Sequence, residues 1–432
     1  VTNKLSNGNL LKDTLNNTQS AIVSWIAPLA FAYALIIAPL LMFSATAESE
    51  FGSGINQTVS EGTASNKIVW LVLTGMVGYF WANTGNKELK RARLHIFLLF
   101  SYLLLEIVSA VWSDVPAISL RRSMQQALLL SCVVAPFVMV VDRQEIVDKV
   151  CWIFAAVIII NVMTLPLLGI PDFGYRGIYS QKNSLGQIVT TGFFFFAYAS
   201  ARRQGCLRWL FAALALLAIG LCIVSHSKTS IGLLFVTPVL AGLIISLSRI
   251  KDALARTIAV VMCLNLAVAV IAASMIIPFG ISDISEFIFH DTTFTGRTKI
   301  WEFAGHYIDQ APFVGYGFGS FWGVGDAARA LGEGFIAGLL QAHNGYVDVV
   351  LEMGYVGLLL VAVLTIGLFL SILRLAQYDA LTSLLLLTCL LFVLLNNTME
   401  SSLFRSYVPL WMVFLLCCGV TWREPAVGRT AP

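Results

Sequence analysis

Charge is scarce in this sequence. Lys, Arg, Asp and Glu make up 12% of its 432 residues, against about 25% in a soluble domain, which is too little to clothe a water-facing surface. The net charge is only +3 and the basic residues form no long run, which argues against a nucleic-acid partner. Cysteine occurs eight times, at 132, 151, 206, 222, 263, 389, 417 and 418, always within or at the end of an apolar block. With no CxxC spacing and no clustered histidines, neither a disulfide framework nor a structural zinc site is expected. No glycine-rich stretch ends in GK[ST], the ending needed to cradle a nucleoside triphosphate. No internal repeat or low-complexity tract interrupts the chain. The first apolar block, Ile22 to Ser44, lacks a small-residue cleavage site and reads as a retained helix rather than a signal peptide.

What the sequence has in abundance is hydrophobic residues, 58% of the total, with a mean hydropathy of +0.82. They fall into blocks of roughly 17 to 25, the length that crosses a hydrocarbon core of about 30 Å as a helix. The expected fold is therefore all-α, a polytopic transmembrane helix bundle forming one integral membrane domain over 1–432. About twelve spans are placed near 22–44, 66–83, 95–112, 120–141, 149–168, 184–200, 207–224, 229–248, 257–278, 345–373, 379–398 and 403–420. An even count puts both termini on one side, and the loops of that side hold 17 of the 27 Lys and Arg. The positive-inside rule makes that side cytoplasmic. The segment 279–342, between spans 9 and 10, then becomes a large loop on the outer face.

The other ten basic residues, Lys67, Arg121, Arg122, Arg176, Lys182, Lys228, Arg297, Lys299, Arg329 and Arg405, break this bias. One reading has several of them converge on an external site for a multiply anionic ligand; the other has them anchor helix ends in the headgroup layer. Within the outer segment, Trp301, Gly305 and Ile308 share a helical face before Pro312, and the glycine-rich stretch GYGFGSFWG follows. The expectation is one or two amphipathic helices across the outer mouth. The glycines permit tight turns, with the aromatic residues at the membrane interface or against a sugar face.

Four outer stretches carry polar chemistry: RGIYSQKNSLG from Arg176, SHSKTS from Ser225, FTGRTKIW from Phe294 and AHNGYVDVVLEMGYVG from Ala342. Arg176 and Lys182 flank a turn leading into a helix that begins near Ser184, so two cations and a positive helix N-terminus can face one anion. Lys228 is pinched between two apolar spans, where a charge is costly unless it meets water or a counter-ion; it either serves a site or snorkels. Arg297 offers a planar fork suited to phosphate oxygens, and Lys299 faces elsewhere. His343 opens a long span, and imidazole, ordinarily titrating near pH 6.5, can accept a proton at pH 7. A lone histidine is more often structural. Asn344, Asp348 and Glu352 follow as a polar stripe, which must face the bundle interior or a wet cavity.

The ordered set RGIYSQKNSLG, SKTS, TGRTKIW with PFVGYGFGSFW, and AHNGYVDVVLEMGYVGL resembles the O-antigen ligase and polymerase family of bacterial membrane glycosyltransferases, nearest its exopolysaccharide repeat-unit polymerase branch. The resemblance covers roughly residues 110 to 400. It implies a helical membrane glycosyltransferase of GT-C-like architecture in the bacterial inner membrane, whose active site faces the periplasm beneath a structured loop. It also implies a glycan donor carried on polyprenyl pyrophosphate, a glycan or glycolipid acceptor, and neither a metal nor a cofactor. A flippase and a chain-length regulator are the partner proteins it suggests. By the same resemblance Arg176 and Arg297 bind the pyrophosphate and His343 acts on the acceptor. Lys182 and Lys228 are further donor-site candidates, and Asn183, Asn344, Asp348 and Glu352 are supporting polar residues. Polymerisation of repeat units is the leading activity, and transfer of a finished glycan to a lipid A core or another acceptor is the alternative. A secondary transporter or flippase is disfavoured, because its charges lie characteristically at mid-membrane within paired repeats.

Overall fold

The computed structural model describes residues 18–42, 64–83, 93–140, 142–252, 297–324 and 339–422, and among them every regular element is a helix. In chain order these are α1 (Thr18–Met42), α2 (Ala64–Asn83), α3 (Leu94–Val111), α4 (Pro116–Met139), α5 (Gln144–Leu168) and α6 (Lys182–Arg202). They continue with α7 (Gly205–Val224), α8 (Lys228–Ser248), α9 (Arg297–Gln310), α10 (Gly345–Leu375), α11 (Ala380–Asn396) and α12 (Pro409–Val420). Eleven of them coincide with expected spans and α9 is the amphipathic helix of the outer segment. The span expected at 257–278, and residues 279–296 and 325–338 of the outer segment, lie outside the described residues.

Seven helices, α1, α3, α4, α5, α7, α8 and α10, are long and apolar enough to cross a bilayer; α2 and α6 have the length with more polar sequences. Their outward faces are apolar, with Leu71, Phe97, Met163, Leu216, Val239 and Leu359 all exposed, as lipid contact requires. The interior is closed around α12, in which every residue from Leu410 to Val420 is buried. Trp411 stacks on Phe414 at 5.0 Å and donates its indole N–H to Gln126 Oε1 at 3.0 Å.

The helices alternate in direction, which collects their ends into two sets. At one end Arg93 donates to Ser371, Arg143 to Val420, and Arg202 pairs with Asp379; Arg203, Arg208, Arg249 and Arg374 are at the same helix ends. At the opposite end lie the four polar stretches. There Tyr175 N donates to the Val224 carbonyl. A Cβ on Gly186 would press Ser227 at 2.5 Å, so the SHSKTS turn is seated directly on α6.

Two expected spans are corrected. The first, 345–373, is broken at Gly354, whose φ of 63° and ψ of −169° lie in a region essentially reserved for glycine. The outer segment fills the break. Tyr316 N and Gly317 N donate to the Leu351 and Glu352 carbonyls at 2.9 Å, while Tyr355 N and Val356 N donate to Pro312 and Phe313 at 2.8 and 3.2 Å. Backbone groups orphaned by the break are thereby satisfied, which is what allows a helix to break inside apolar surroundings. The second correction is at 403–420, where the helix starts only at Pro409 and residues 397–408 form a loop.

The outer segment packs through its own small core. Ile300 and Ala304 of α9 meet Phe321, Trp322, Ala342 and Leu351. Trp301 and Ile308, of the expected face, pack against this core half-buried, while a Cβ at Gly305 would meet nothing within 4 Å. Phe318, Phe321 and Trp322 are buried, so these aromatics hold the segment down instead of lying at an interface or against a sugar.

Candidate functional site

The loop after α11 is hung on the start of α10. Asn397 Oδ1 accepts from Ser402 N and Leu403 N at 2.8 and 3.0 Å, and its backbone carbonyl accepts from Gly345 N at 2.8 Å. A Cβ at Gly345 would stand 2.1 Å from Asn397 Oδ1, so only glycine allows this approach. The contact carries Glu400 into the middle of the polar end.

Glu400 joins three separate elements. Its Oε1 accepts from Arg297 Nη2, at the first residue of α9, and from Asn183 Nδ2, in the first turn of α6, both at 2.8 Å. Its Oε2 faces His343 Nδ1 at 3.2 Å. His343 sits just before α10 with a left-handed φ of 51°. Its neighbour Ala342 pins it from both sides: Ala342 N donates to Asp348 Oδ1 at 3.0 Å, and the Ala342 carbonyl accepts from Trp301 Nε1 at 3.1 Å. Asn344 caps α10, its side chain accepting from Tyr346 N and Val347 N. Together these tethers aim the imidazole at the carboxylate that the Arg297 guanidinium also reaches.

A second charged cluster braces the same helix. Arg405 bridges Asp348 Oδ2 at 3.1 Å and Glu352 Oε1 at 3.0 Å, and Asp348 Oδ1 also accepts from Trp322 Nε1 at 2.6 Å. The stripe of Asp348 and Glu352 does face the protein interior, and its work there is to hold Arg405 and the outer segment. Removing one member of such a buried set strands the others at a cost of about 3–5 kcal/mol. Arg122 similarly donates to the Gly319 carbonyl. The ten bias-breaking cations therefore do not all converge on one site: Arg122 and Arg405 fasten the outer segment.

Beside the Glu400 cluster opens a cavity of about 590 Å³. Its walls include Tyr33, Ala34 and Ala38 of α1, Ile178 and Tyr179 of the loop before α6, and Ile188 of α6, and Arg176 is set among them. Tyr33 and Ala34 belong to a one-turn π-helical segment, Tyr33–Ile37, a distortion frequent at functional sites. The cavity shares two walls with the cluster. Ser184 is next to Asn183 on α6, and Tyr407 is on the same loop as Glu400, seven residues further along.

Of the residues singled out from sequence, Asn183, Arg297 and His343 meet on Glu400, and Arg176 lines the adjoining cavity. Lys182 is half-buried as the first residue of α6, which starts two residues earlier than expected, and Lys228 is exposed at the start of α8, at the same end. Asn344 is a cap, while Asp348 and Glu352 are braces. Sequence reasoning missed Glu400, and it counted Arg405 as an outer cation without giving it a partner. A carboxylate in NNTMESS between two apolar runs was the available signal.

Residues 212–362 match the family model described as O-antigen ligase, a stretch that contains Lys228, Arg297 and His343. The chain is also 25% identical over 285 residues to the exopolysaccharide production protein ExoQ of Rhizobium meliloti. That match covers 63% of this chain and 64% of the relative, so the chain is aligned with somewhat less than two thirds of that protein. The bundle, the ordered motifs and these matches agree in their likeness to the O-antigen ligase and polymerase family of membrane proteins.

Proposed function

We propose that this protein is a glycosyltransferase that takes a glycan from polyprenyl pyrophosphate at the periplasmic face of the inner membrane and extends an exopolysaccharide or O-antigen by whole repeat units. The observation that carries this reading is the meeting of Arg297, His343 and Asn183 on one carboxylate, beside an apolar cavity that contains Arg176. A polyprenyl pyrophosphate is an apolar chain ending in a multiply charged anion, and an apolar cavity with a guanidinium in its wall matches both ends. Each charge-assisted hydrogen bond to the leaving group supplies about 1.5–3 kcal/mol. A positioned general base contributes about 10²–10⁴ in rate.

In the proposed reaction the acceptor hydroxyl attacks the anomeric carbon and passes its proton to His343. The bond from that carbon to the pyrophosphate oxygen breaks, and its electron pair leaves with the lipid pyrophosphate, whose growing charge the arginines stabilise. A single displacement inverts the anomeric configuration. The relative named for exopolysaccharide production favours polymerisation, while the family description favours a ligase; both use the same donor chemistry. Purified protein given only a polyprenyl-pyrophosphate repeat unit should yield longer lipid-linked chains, and His343→Ala should abolish them without loss of donor binding. Activity that appears only when a lipid A core is supplied makes the protein a ligase. Full turnover in His343→Ala refutes the mechanism.

A further inference from the structure

The roles given to Arg297 and His343 leave unexplained the group that joins them. Glu400 is almost fully buried, its side chain 8% exposed, and its oxygens are divided between the two residues: Oε1 toward Arg297 and Asn183, Oε2 toward His343. It thus occupies a place on Arg297 that a phosphate oxygen needs. An ionised carboxylate only accepts hydrogen bonds, so its approach at 3.2 Å places the shared proton on Nδ1 and leaves Nε2 as the basic nitrogen; the Gln341 amide, 3.3 Å from the same Nδ1, then turns its oxygen rather than its NH2 toward the ring. Arg297, His343 and Asn183 are the charged and polar side chains that meet this carboxylate, from α9, from the loop before α10 and from α6.

We infer that Glu400 is a positioning residue shared by the two halves of the site. It holds the anion place on Arg297 until the donor pyrophosphate takes it over, and it fixes His343 as the Nδ1–H tautomer with Nε2 toward the acceptor. The inference rests on the donor and base roles proposed above. During transfer the acceptor O–H proton goes to Nε2, and the imidazolium so formed is countered by Glu400, as a buried aspartate does for histidine in a serine-protease triad. Donor arrival and base orientation are then linked through one side chain: as pyrophosphate displaces Oε1 from Arg297, the carboxylate keeps its hydrogen bond to His343, which becomes its charged partner once the acceptor proton is transferred.

Two measurements on the purified full-length chain test this. Binding of farnesyl pyrophosphate, a short polyprenyl pyrophosphate, is compared among wild type, Glu400→Gln and Arg297→Ala. Glu400→Gln keeps the shape of the side chain and removes the competing charge, so it should bind at least fivefold more tightly, whereas Arg297→Ala should bind more weakly. In the transfer assay Glu400→Gln should lower kcat at least 100-fold without raising the donor KM, and Glu400→Asp, which keeps the charge on a shorter arm, should recover part of the turnover. A carboxylate that merely braced the fold would instead raise KM and lower kcat together. Ring 15N shifts of His343, assigned with His343→Gln, should show protonated Nδ1 and bare Nε2 in wild type.

Folded Glu400→Gln that binds the probe no more tightly overturns the competition, and an Nε2–H tautomer in wild type overturns the positioning of His343. If Glu400→Gln fails to fold, the wild-type tautomer and the kcat and KM of Glu400→Asp decide. Wild-type protein that ignores the probe refutes the donor reading and the Arg297 half with it, while the ring shifts still decide the His343 half.

Discussion

Gly354→Ala is the sharpest perturbation the fold offers, because two independent features of the backbone forbid a side chain there. The conformation at φ 63° and ψ −169° costs a non-glycine residue about 1–3 kcal/mol. In addition, the new Cβ would meet the Phe313 carbonyl carbon and oxygen at 2.1 Å and Val314 N at 2.4 Å. These are backbone atoms, so no rotamer change relieves the clash. Moving Phe313 away detaches at least the bonds from Tyr355 N and Val356 N to Pro312 and Phe313. At about 0.5–1.5 kcal/mol for each bond, the two losses together come to about 2–6 kcal/mol. Since 1.4 kcal/mol is tenfold, the ratio of docked to undocked outer segment should fall by roughly 30-fold to 10⁴-fold. Hydrogen exchange followed by mass spectrometry reads this directly, as faster exchange in peptides covering 312–317 and 351–356, and transfer activity should fall with it. Gly305→Ala is the control: it sits in α9 with nothing within 4 Å of the new carbon, and helix propensity favours alanine by about 1 kcal/mol. Gly354→Ala protein with wild-type exchange and activity refutes the account of the broken helix.

Three further expectations are checked more simply. If the polar end is periplasmic, a cysteine placed at the exposed Asp309 should react with an impermeant thiol reagent in cells with a permeable outer envelope, while native Cys206, exposed at the opposite end, reacts only once the inner membrane is opened; the reverse pattern inverts the topology. Lysine at Arg176 or Arg297 keeps the charge and loses the planar fork, so activity should drop at least tenfold in folded protein, and normal donor affinity in both alanine variants removes them from the site. Turnover should persist in excess EDTA, since guanidinium groups can neutralise the leaving group; activity lost on chelation and restored by a divalent ion reveals a metal requirement.

The spans were legible because hydrophobic run length is a strong local signal, and helices α1 to α8 begin and end within a few residues of the expected places. The failures share one cause. At Gly354 and at 403–408 the chain leaves the helix although its composition stays largely apolar, and hydropathy does not register a break whose backbone partners come from elsewhere in the sequence. The partner of Gly354 is Pro312 to Gly317, some forty residues away and read only as a turn. Arg176, Arg297 and His343 were visible as polar residues out of place among apolar ones. Glu400 carried the same mark, but it stood in a short polar linker where a carboxylate excites no suspicion, and its importance comes wholly from three partners spread over more than two hundred residues. Asp348 and Glu352 show the converse. Their helical spacing correctly predicted a buried stripe, but spacing alone does not distinguish a carboxylate that meets a ligand from one that meets Arg405.

The last step joins helix length to chemistry. Helices α11 and α12 have 17 and 12 residues, about 25 and 18 Å at 1.5 Å per residue, and both fall short of a hydrocarbon core of about 30 Å. The loop between them must therefore dip into the bundle, where irregular backbone persists only if protein satisfies it. Asn397 supplies part of that satisfaction. The loop also holds two non-glycine residues at left-handed φ, Phe404 at 54° and Tyr407 at 68°, conformations that cost about 1–3 kcal/mol each unless the surroundings impose them. The imposition comes from aromatic stacking: Phe404 on Tyr102 at 3.8 Å and Tyr407 on Trp70 at 4.6 Å. Between these clamped points lies Arg405, turned toward Asp348 and Glu352, and just ahead of them Glu400, turned toward Arg297 and His343. Shortening two helices is thus what brings charged side chains to depth in an apolar bundle, and the aromatic clamps keep them pointed at the residues on α9 and α10.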